Sequence, residues 1–279
     1  MSVASYWRAV AVRLSMLSPQ RDRRRRRFRK CTENVTLSES IPLERSGAAY
    51  SLFGSDRALR TLGDRVPSPD ALLIELGTIA NDWRWLAMAW HLAFAGLFCA
   101  LFTGWRPRAP LLGYILVVPL LSVSLVAWLS GNPFNGTMFA LLAAALLWSL
   151  ASFSHFSMTF MPSAWLAAGG AIAVFGWTYP HFARAESWMT YLYASPFGIL
   201  PCPTLSVVIG VTLMGRHLMA VRWQAALIAA GLLYGAIGVF RLGVVLDWGL
   251  LLAALALAAA LACDLARPEH ARIRLPNAL

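Results

Sequence analysis

The chain has 279 residues, of which 58% are hydrophobic and only 13% are charged. Soluble domains carry about 25% charged residues, so this chain has too few charges to solvate a globular surface of its size. The apolar residues fall in long runs, which is typical of helices in lipid. The sequence therefore predicts an all-α fold, a polytopic transmembrane bundle of about seven helices.

The net charge of +11 is concentrated near the N-terminus, where residues 1–65 contain 14 Lys and Arg against 6 Asp and Glu. The basic run at residues 21–30 is followed by polar residues, whereas an export signal requires an apolar stretch there. Arg clusters can neutralise phosphates, but no folded module accompanies this one, so nucleic-acid binding is not expected. We predict a basic, disordered tail over residues 1–65, with contact to anionic lipid as the alternative.

A helix start follows this tail. Ser68 can act as the N-cap, Pro69 suits the first helical position, and Asp70 complements the positive end of the helix dipole. Apolar residues then recur at helical spacing up to Trp83. We predict a short interfacial amphipathic helix within residues 66–84 that leads into the first span.

Residues 85–266 are predicted to form the seven-helix domain, and residues 267–279 a basic C-terminal tail. The predicted spans are 85–103, 111–129, 137–153, 163–180, 196–214, 221–240 and 244–263. Each is close to the length that crosses about 30 Å of hydrocarbon. Short connections favour antiparallel neighbours.

The loop charges predict the orientation through the excess of Lys and Arg on the cytoplasmic side. One side has seven arginines and the other has three: Arg106, Arg108, Arg216, Arg222, Arg267, Arg272 and Arg274 against Arg84, Arg184 and Arg241. This places the C-terminus in the cytoplasm. It would also require export of the basic tail, and we therefore expect translation to start near Val66. The alternative keeps the tail in the cytoplasm and reverses every helix.

The fifth span has three prolines close together at its entry, Pro196, Pro201 and Pro203. Each removes a backbone donor and disfavours helix in the residue before it. We expect a regular helix from about Pro203 and unwound backbone before it, a break that lipid tolerates only where protein or a wet cavity covers it. Cys202 and Thr204 would then lie in an outward-facing site at a helix start that attracts anions and activates a thiol. The alternative is that the prolines only end a loop and shape packing.

Several motifs in this region resemble a bacterial membrane family, domain of unknown function six thousand and sixty-four. They are Tyr179-Pro180, Pro196-Phe197-Gly198 and Pro201-Cys202-Pro203-Thr204, with Asn132-Pro133, Arg222-Trp223, Asp247 and Gly249 as weaker matches. The resemblance covers roughly residues 66–266, and the family tends to carry Ile-Phe where this chain has Leu205-Ser206-Val207. It implies a multi-pass inner-membrane fold whose first span lies close to the start of the chain. It implies no particular reaction.

Other candidate residues are few. His91 lies inside the first span, where an ionisable side chain suggests a binding role; the alternative is a structural hydrogen bond to a neighbouring helix. Together with Tyr179, Pro180, Pro201, Cys202, Pro203 and Thr204, it forms the predicted ligand-binding set. The four cysteines, Cys31, Cys99, Cys202 and Cys263, lack the spacing of a zinc site or a disulfide framework. No catalytic residues, metal or cofactor are predicted.

Gly231, Gly235 and Gly238 place small residues on one face of the sixth span, which predicts close helix packing within the bundle or between protomers. No Asp or Glu falls in the middle of a predicted span, which argues against an ion-coupled carrier. The leading functional prediction is small-molecule binding or facilitated permeation at the break near Cys202. The alternatives are a structural or accessory subunit of a membrane complex and a thiol-dependent membrane enzyme.

Overall fold

The structure, a computed structural model, describes residues 68–153, 157–161, 163–184, 187–215, 218 and 220–266. The chain divides into two units, Met1–Arg60 and Thr61–Leu279, and all described residues lie in the second. Both predicted tails, residues 1–65 and 267–279, lie outside the described residues.

Most of the described residues are helical. The α-helices are α1 (Pro69–Asp82), α2 (Arg84–Phe102), α3 (Ala109–Leu129), α4 (Pro133–Ser149), α5 (Ser163–Thr178), α6 (Thr190–Ala194), α7 (Pro201–Met214), α8 (Val221–Ala236) and α9 (Trp248–Leu265). A π-helical turn, Ile237–Arg241, continues α8, and a 3₁₀ turn, Val245–Asp247, precedes α9. A second 3₁₀ turn, Leu150–Ser152, follows α4.

Local sequence explains two of the helix starts. The Ser68 hydroxyl accepts a hydrogen bond from the backbone N–H of Ala71 at 3.2 Å, and Pro69 occupies the first helical position. The side chain of Asn132 caps α4 in the same way, accepting from the backbone N–H of Asn135 at 3.1 Å. Both caps pair a donor that the first helical turn leaves without an intrahelical partner.

Four helical segments are long and apolar enough to cross a membrane: Arg84–Phe102, Ala109–Leu129, Val221–Arg241 and Val245–Leu265. Three further apolar helices are shorter: Pro133–Ser149, Ala164–Thr178 and Pro201–Met214. The helical, membrane-protein character of the chain is thereby confirmed for the described residues. The bounds of α4, α5 and α7 differ from the predicted spans. Helix α4 is Pro133–Ser149 rather than 137–153, α5 ends at Thr178 rather than at residue 180, and α7 begins at Pro201 rather than at residue 196.

The main hydrophobic core combines residues of α2, α3, α4, α7, α8 and α9. On its other side, α7 packs against α5, and the two backbones approach each other closely. A side chain on Gly176 would lie 2.6 Å from the backbone oxygen of Pro203, and one on Gly210 would lie 2.6 Å from the backbone nitrogen of Ala173. Only glycine permits this separation. Because α7 is held so closely, nearly every one of its residues is buried, including the polar side chains of Thr204, Ser206 and Thr212.

Contacts between loops define two ends of the bundle. At the end called here the α1 end, the Asn81 side chain donates to the Phe182 carbonyl at 3.0 Å and Asn132 donates to Glu75 at 3.2 Å. These bonds place α1 over the end of α3 and the loop that follows α5. At the opposite end, the Met161 N–H donates to the Met214 carbonyl at 2.9 Å, which joins the start of α5 to the end of α7.

Candidate functional site

The backbone is not helical between α6 and α7, at residues 195–200. Phe197, Ile199 and Leu200 in this segment are almost fully buried. Gly198 has φ +75°, a conformation that other residues rarely adopt. The segment closes on itself because the N–H groups of Ile199 and Leu200 donate to the Pro196 carbonyl at 3.3 and 3.0 Å. Buried, unpaired backbone groups are thereby largely avoided.

Thr204 fastens this segment to the first turn of α7. Its hydroxyl accepts from the Gly198 N–H at 2.9 Å and donates to the Leu200 carbonyl at 2.7 Å. Thr204 is fully buried, so its polar atom serves the chain itself. The predicted ligand-binding residue Thr204 is therefore a structural residue of the non-helical segment.

The start of α7 is a correction to the sequence analysis. We expected helix from about Pro203, but α7 begins at Pro201. Both prolines fall in the first turn, where the N–H groups have no partner within the helix, so the missing donors cost nothing. Pro201 and Pro203 are buried. Pro180, in the connection that follows α5, is partly buried.

A polar cluster lies at the α1 end, where α5 ends and α7 and α9 begin. The carboxylate of Asp247, which is 2% exposed, accepts from the Tyr179 phenol at 2.5 Å. The Cys202 thiol is the second side chain that interacts electrostatically with this carboxylate. Tyr179 is fully buried and Cys202 is partly buried. The cluster joins two predicted site residues to an acid that the prediction left out.

Asp247 overturns the expectation that the bundle holds no buried carboxylate. The sequence places it near the start of a span, where an acid ordinarily meets water. In the structure, the π-helical turn folds over it: the Val244 N–H donates to the Gly238 carbonyl at 2.8 Å, and a side chain on Gly238 would overlap the carboxylate of Asp247. The only sequence signal for this burial is a single acid within an apolar stretch that follows a glycine-rich helix face.

The charge of Asp247 has no basic partner among the described side chains. Its hydrogen-bond donor is the neutral phenol of Tyr179, and its other side-chain neighbour, the thiol of Cys202, also carries no positive charge. The nearest imidazole in the adjoining loop is that of His181, which packs against the Tyr179 ring at 6.5 Å between centroids. Burial lowers the pKa of His181 below its usual value, so this imidazole is neutral at neutral pH.

The sulfur of Cys202 lies in a setting that differs from the expected one. We expected a helix start that activates the thiol as an anion. In the structure, the thiol faces a carboxylate and can act as a hydrogen-bond donor to it only while it carries its proton. The arrangement is suited to a neutral thiol.

His91 lies apart from this cluster and connects three elements. It is 3% exposed, and its Nδ1 and Nε2 lie 2.8 Å from the Ala87 carbonyl and 3.0 Å from the Trp177 carbonyl. Ser195 Oγ lies 3.3 Å from Nε2 and also donates to the Trp177 carbonyl. The ring therefore ties α2 to the end of α5 and to the non-helical segment. It also lines a groove of about 480 Å³ with Leu192 and other residues of α2, α5 and α6.

Gly231 and Gly235 of α8 and Gly238 of the π-helical turn all pack against other residues of the same chain. A side chain on Gly231 would lie 2.9 Å from Ala254, and one on Gly235 would lie 2.7 Å from Leu251. Gly238 faces Asp247. This glycine face therefore packs against α9 inside the bundle, and contact with another protomer through it would require α9 to move.

Among the described residues, no group of three or more His, Cys, Asp or Glu side chains could hold a metal ion. Comparison with known proteins finds no matching family model, no matching curated protein and no matching solved structure.

Proposed function

We propose that this chain is a seven-span membrane protein that binds a small cationic or hydrogen-bond-donating solute at the α1 end, with Asp247 as the principal binding group. The observation that carries the proposal is the buried carboxylate at the start of α9, which is hydrogen-bonded to Tyr179 and interacts with Cys202 next to the non-helical segment. The simplest activity compatible with it is solute binding or facilitated permeation across the bilayer.

The physical argument rests on the cost of burying a charge. An ionised carboxylate taken out of water is strongly disfavoured unless it is paired. The Tyr179 phenol offsets part of that cost for Asp247, and no basic side chain among the described residues supplies the rest. A group in this position either takes up a proton or accepts a cation from outside the protein. Ionisable residues at membrane depth are commonly functional for this reason.

The membrane arrangement is part of the proposal. The four long apolar helices are supplemented by α4, α5 and α7, which are shorter and would bring the number of spans to seven. The fifth span would then comprise α7 and the non-helical segment before it. Other parts of the protein cover this segment, as unwound backbone at membrane depth requires. Pairs of half-spans around such a break are a recurrent way to build solute sites in transporters.

The orientation and the family are also part of the proposal. The distribution of arginines supports an orientation with the α1 end outside the cytoplasm and the C-terminus inside, and the membrane is proposed to be a bacterial cytoplasmic membrane. Membership of the family that the Tyr179-Pro180 and Pro201–Thr204 motifs resemble is proposed on those motifs. Thiol catalysis is less well supported than solute binding, because the Cys202 sulfur faces a carboxylate rather than a base.

The test uses the charge selectivity of thiol modification in a variant with Cys202 as the only cysteine. Right-side-out vesicles are treated with small methanethiosulfonates that carry either an ammonium or a sulfonate group. At an effective dielectric of about 20, a cation about 7 Å from a carboxylate is favoured by about 2 kcal/mol, which corresponds to more than tenfold in rate. We therefore expect the cationic reagent to react at least about tenfold faster.

Asp247→Asn should remove this preference, whereas Asp70→Asn, which changes an exposed acid at the start of α1, should leave it intact. Tetramethylammonium, a permanently charged solute, should slow the modification in the native background. Equal rates for the two reagents, or no reaction from the outer face, would overturn the proposal.

A further inference from the structure

A second feature lies away from Asp247, on the surface between α2 and α5. It is an apolar groove of about 380 Å³, with Phe98 and Phe102 of α2 on one side and Gly170, Ala173 and Val174 of α5 on the other. Phe102 and Val174 are both more than 60% exposed. In a chain that spans a membrane, a groove between two apolar helices faces lipid chains.

The length of the groove corresponds to one leaflet. The 380 Å³ groove continues into the 480 Å³ groove that reaches Leu92, and the two share Ala95 and Trp177. From Phe102 to Leu92 the helix rises by about 15 Å, at 1.5 Å per residue. The hydrocarbon core is about 30 Å thick, so this path matches the depth that one acyl chain occupies from one side.

A cationic side chain lies next to the end of the groove that is nearer the surface. The Phe102 ring stacks on the Phe160 ring with centroids 5.8 Å apart, and the guanidinium carbon of Arg106 lies 4.9 Å from the centroid of Phe160. Arg106 Nη1 donates to the carbonyls of Leu101 and Trp105 at 2.5 and 3.0 Å. A guanidinium has five N–H donors, and Nε and Nη2 make no hydrogen bond to the residues that the structure describes, so they can donate to an external acceptor.

The charge of this end of the bundle favours an anionic partner. Among the described residues, the opposite end carries Arg106, Arg108 and Arg222 against one acid, Asp264. The α1 end carries as many arginines, Arg84, Arg184 and Arg241, against four acids, Asp70, Glu75, Asp82 and Asp247. A phosphate at Arg106 would therefore meet a net positive surface, and Arg suits phosphate through paired N–H donors.

We propose that the groove between α2 and α5 binds an anionic phospholipid, with one acyl chain along Phe98 and Ala173 and the phosphate at Arg106. The inference rests on the chain spanning the membrane but not on solute binding at Asp247. Juxtamembrane cations attract anionic headgroups generally. The structure adds a groove about as long as one acyl chain, which ends beside the Arg106 guanidinium.

The test is native mass spectrometry of the full chain in a neutral detergent, titrated with phosphatidylglycerol or with phosphatidylcholine of the same chain length. We expect the native protein to retain phosphatidylglycerol at least about fivefold more strongly. Arg106→Gln should remove this preference. Arg241→Gln, which deletes the same charge from an exposed residue at the α1 end, should preserve it.

The chain-binding part is tested separately with Gly170→Leu. A Cβ at Gly170 meets no atom within 4 Å, so the substitution fills the groove without disturbing the fold. Gly96→Leu is the matched control, because it also faces open space but does not line the groove. Gly170→Leu should weaken binding of phosphatidylglycerol severalfold and Gly96→Leu should not, with equal thermal midpoints for both proteins.

Three results would overturn the proposal: equal retention of the two lipids by the native protein, an unchanged preference in Arg106→Gln, or unchanged binding in Gly170→Leu. Inorganic phosphate at the same concentration is the final arm. Displacement of the lipid by phosphate alone would show an anion site without a chain groove, and would also overturn it.

Discussion

The hydrogen bond between Tyr179 and Asp247 gives the sharpest energetic prediction, and Tyr179→Phe removes only its donor. The phenol is fully buried and lies 2.5 Å from the carboxylate. Hydrogen bonds to charged groups contribute about 1.5–3 kcal/mol, and more is lost when the remaining partner stays buried. We expect Tyr179→Phe to lower the free energy of unfolding by about 2–3 kcal/mol.

Two other tyrosines provide graded controls. The Tyr234 phenol donates to the neutral side chain of Asn135 at 3.1 Å, so Tyr234→Phe should cost about 0.5–1.5 kcal/mol. Tyr193 is 47% exposed, and Tyr193→Phe should change stability by less than about 0.5 kcal/mol. The measurement is reversible unfolding in mixed micelles with increasing sodium dodecyl sulfate, read by far-ultraviolet circular dichroism.

A double-mutant cycle separates the bond from other effects of the Tyr179 substitution. In the Asp247→Asn background, where the carboxylate is already gone, Tyr179→Phe should cost at least about 1 kcal/mol less than in the native background. If the two costs agree within about 0.5 kcal/mol, or if Tyr179→Phe is as mild as Tyr193→Phe, the carboxylate and the phenol are not coupled and the reasoning is wrong.

Two further substitutions test the packing. Gly198→Ala should destabilise the chain by more than about 2 kcal/mol, because φ is +75° there and a Cβ would overlap the Trp90 ring. Gly96→Ala, whose Cβ meets nothing within 4 Å, should be neutral or slightly stabilising. Equal costs for the two substitutions would contradict the packing argument. Gln224 is fully buried and neither polar atom of its side chain has a hydrogen-bond partner among the described residues, so Gln224→Met should raise the free energy of unfolding by about 1–2 kcal/mol. A loss of stability instead would show that the amide pairs with a bound molecule or with a residue outside the described ones. Both are checked by the same unfolding titration.

Local sequence was a reliable guide where a structure depends on local chemistry. The helix start at Ser68 was predicted from a side chain that accepts a hydrogen bond from a backbone N–H three residues later, and the described structure has it. The start of α4, which Asn132 caps in the same way, was missed, because the span was predicted to begin at residue 137. The apolar runs predicted the helices because their length and composition leave few other structures. The prolines predicted non-helical backbone before α7, but their effect on the first turn was overestimated.

The candidate site could not be predicted in the same way, because it depends on residues that are far apart in the chain. Tyr179 and Asp247 are separated by 68 positions, and His91 and Trp177 by 86. An acid near the end of an apolar run is ordinarily solvated, and nothing in its neighbours along the chain shows that a π-helical turn and the end of α5 will enclose it.

The sequence by itself therefore determined that the chain is a bundle of apolar helices, where several of them start, and which end of the bundle is more basic. These properties follow from hydropathy, capping and charge, which each residue carries wherever it lies. Only the tertiary structure decided that Asp247 is buried, that Cys202 faces a carboxylate, and that the α8 glycines pack against α9. Burial and pairing are properties of neighbouring helices, and the close packing of α5, α7, α8 and α9 creates them.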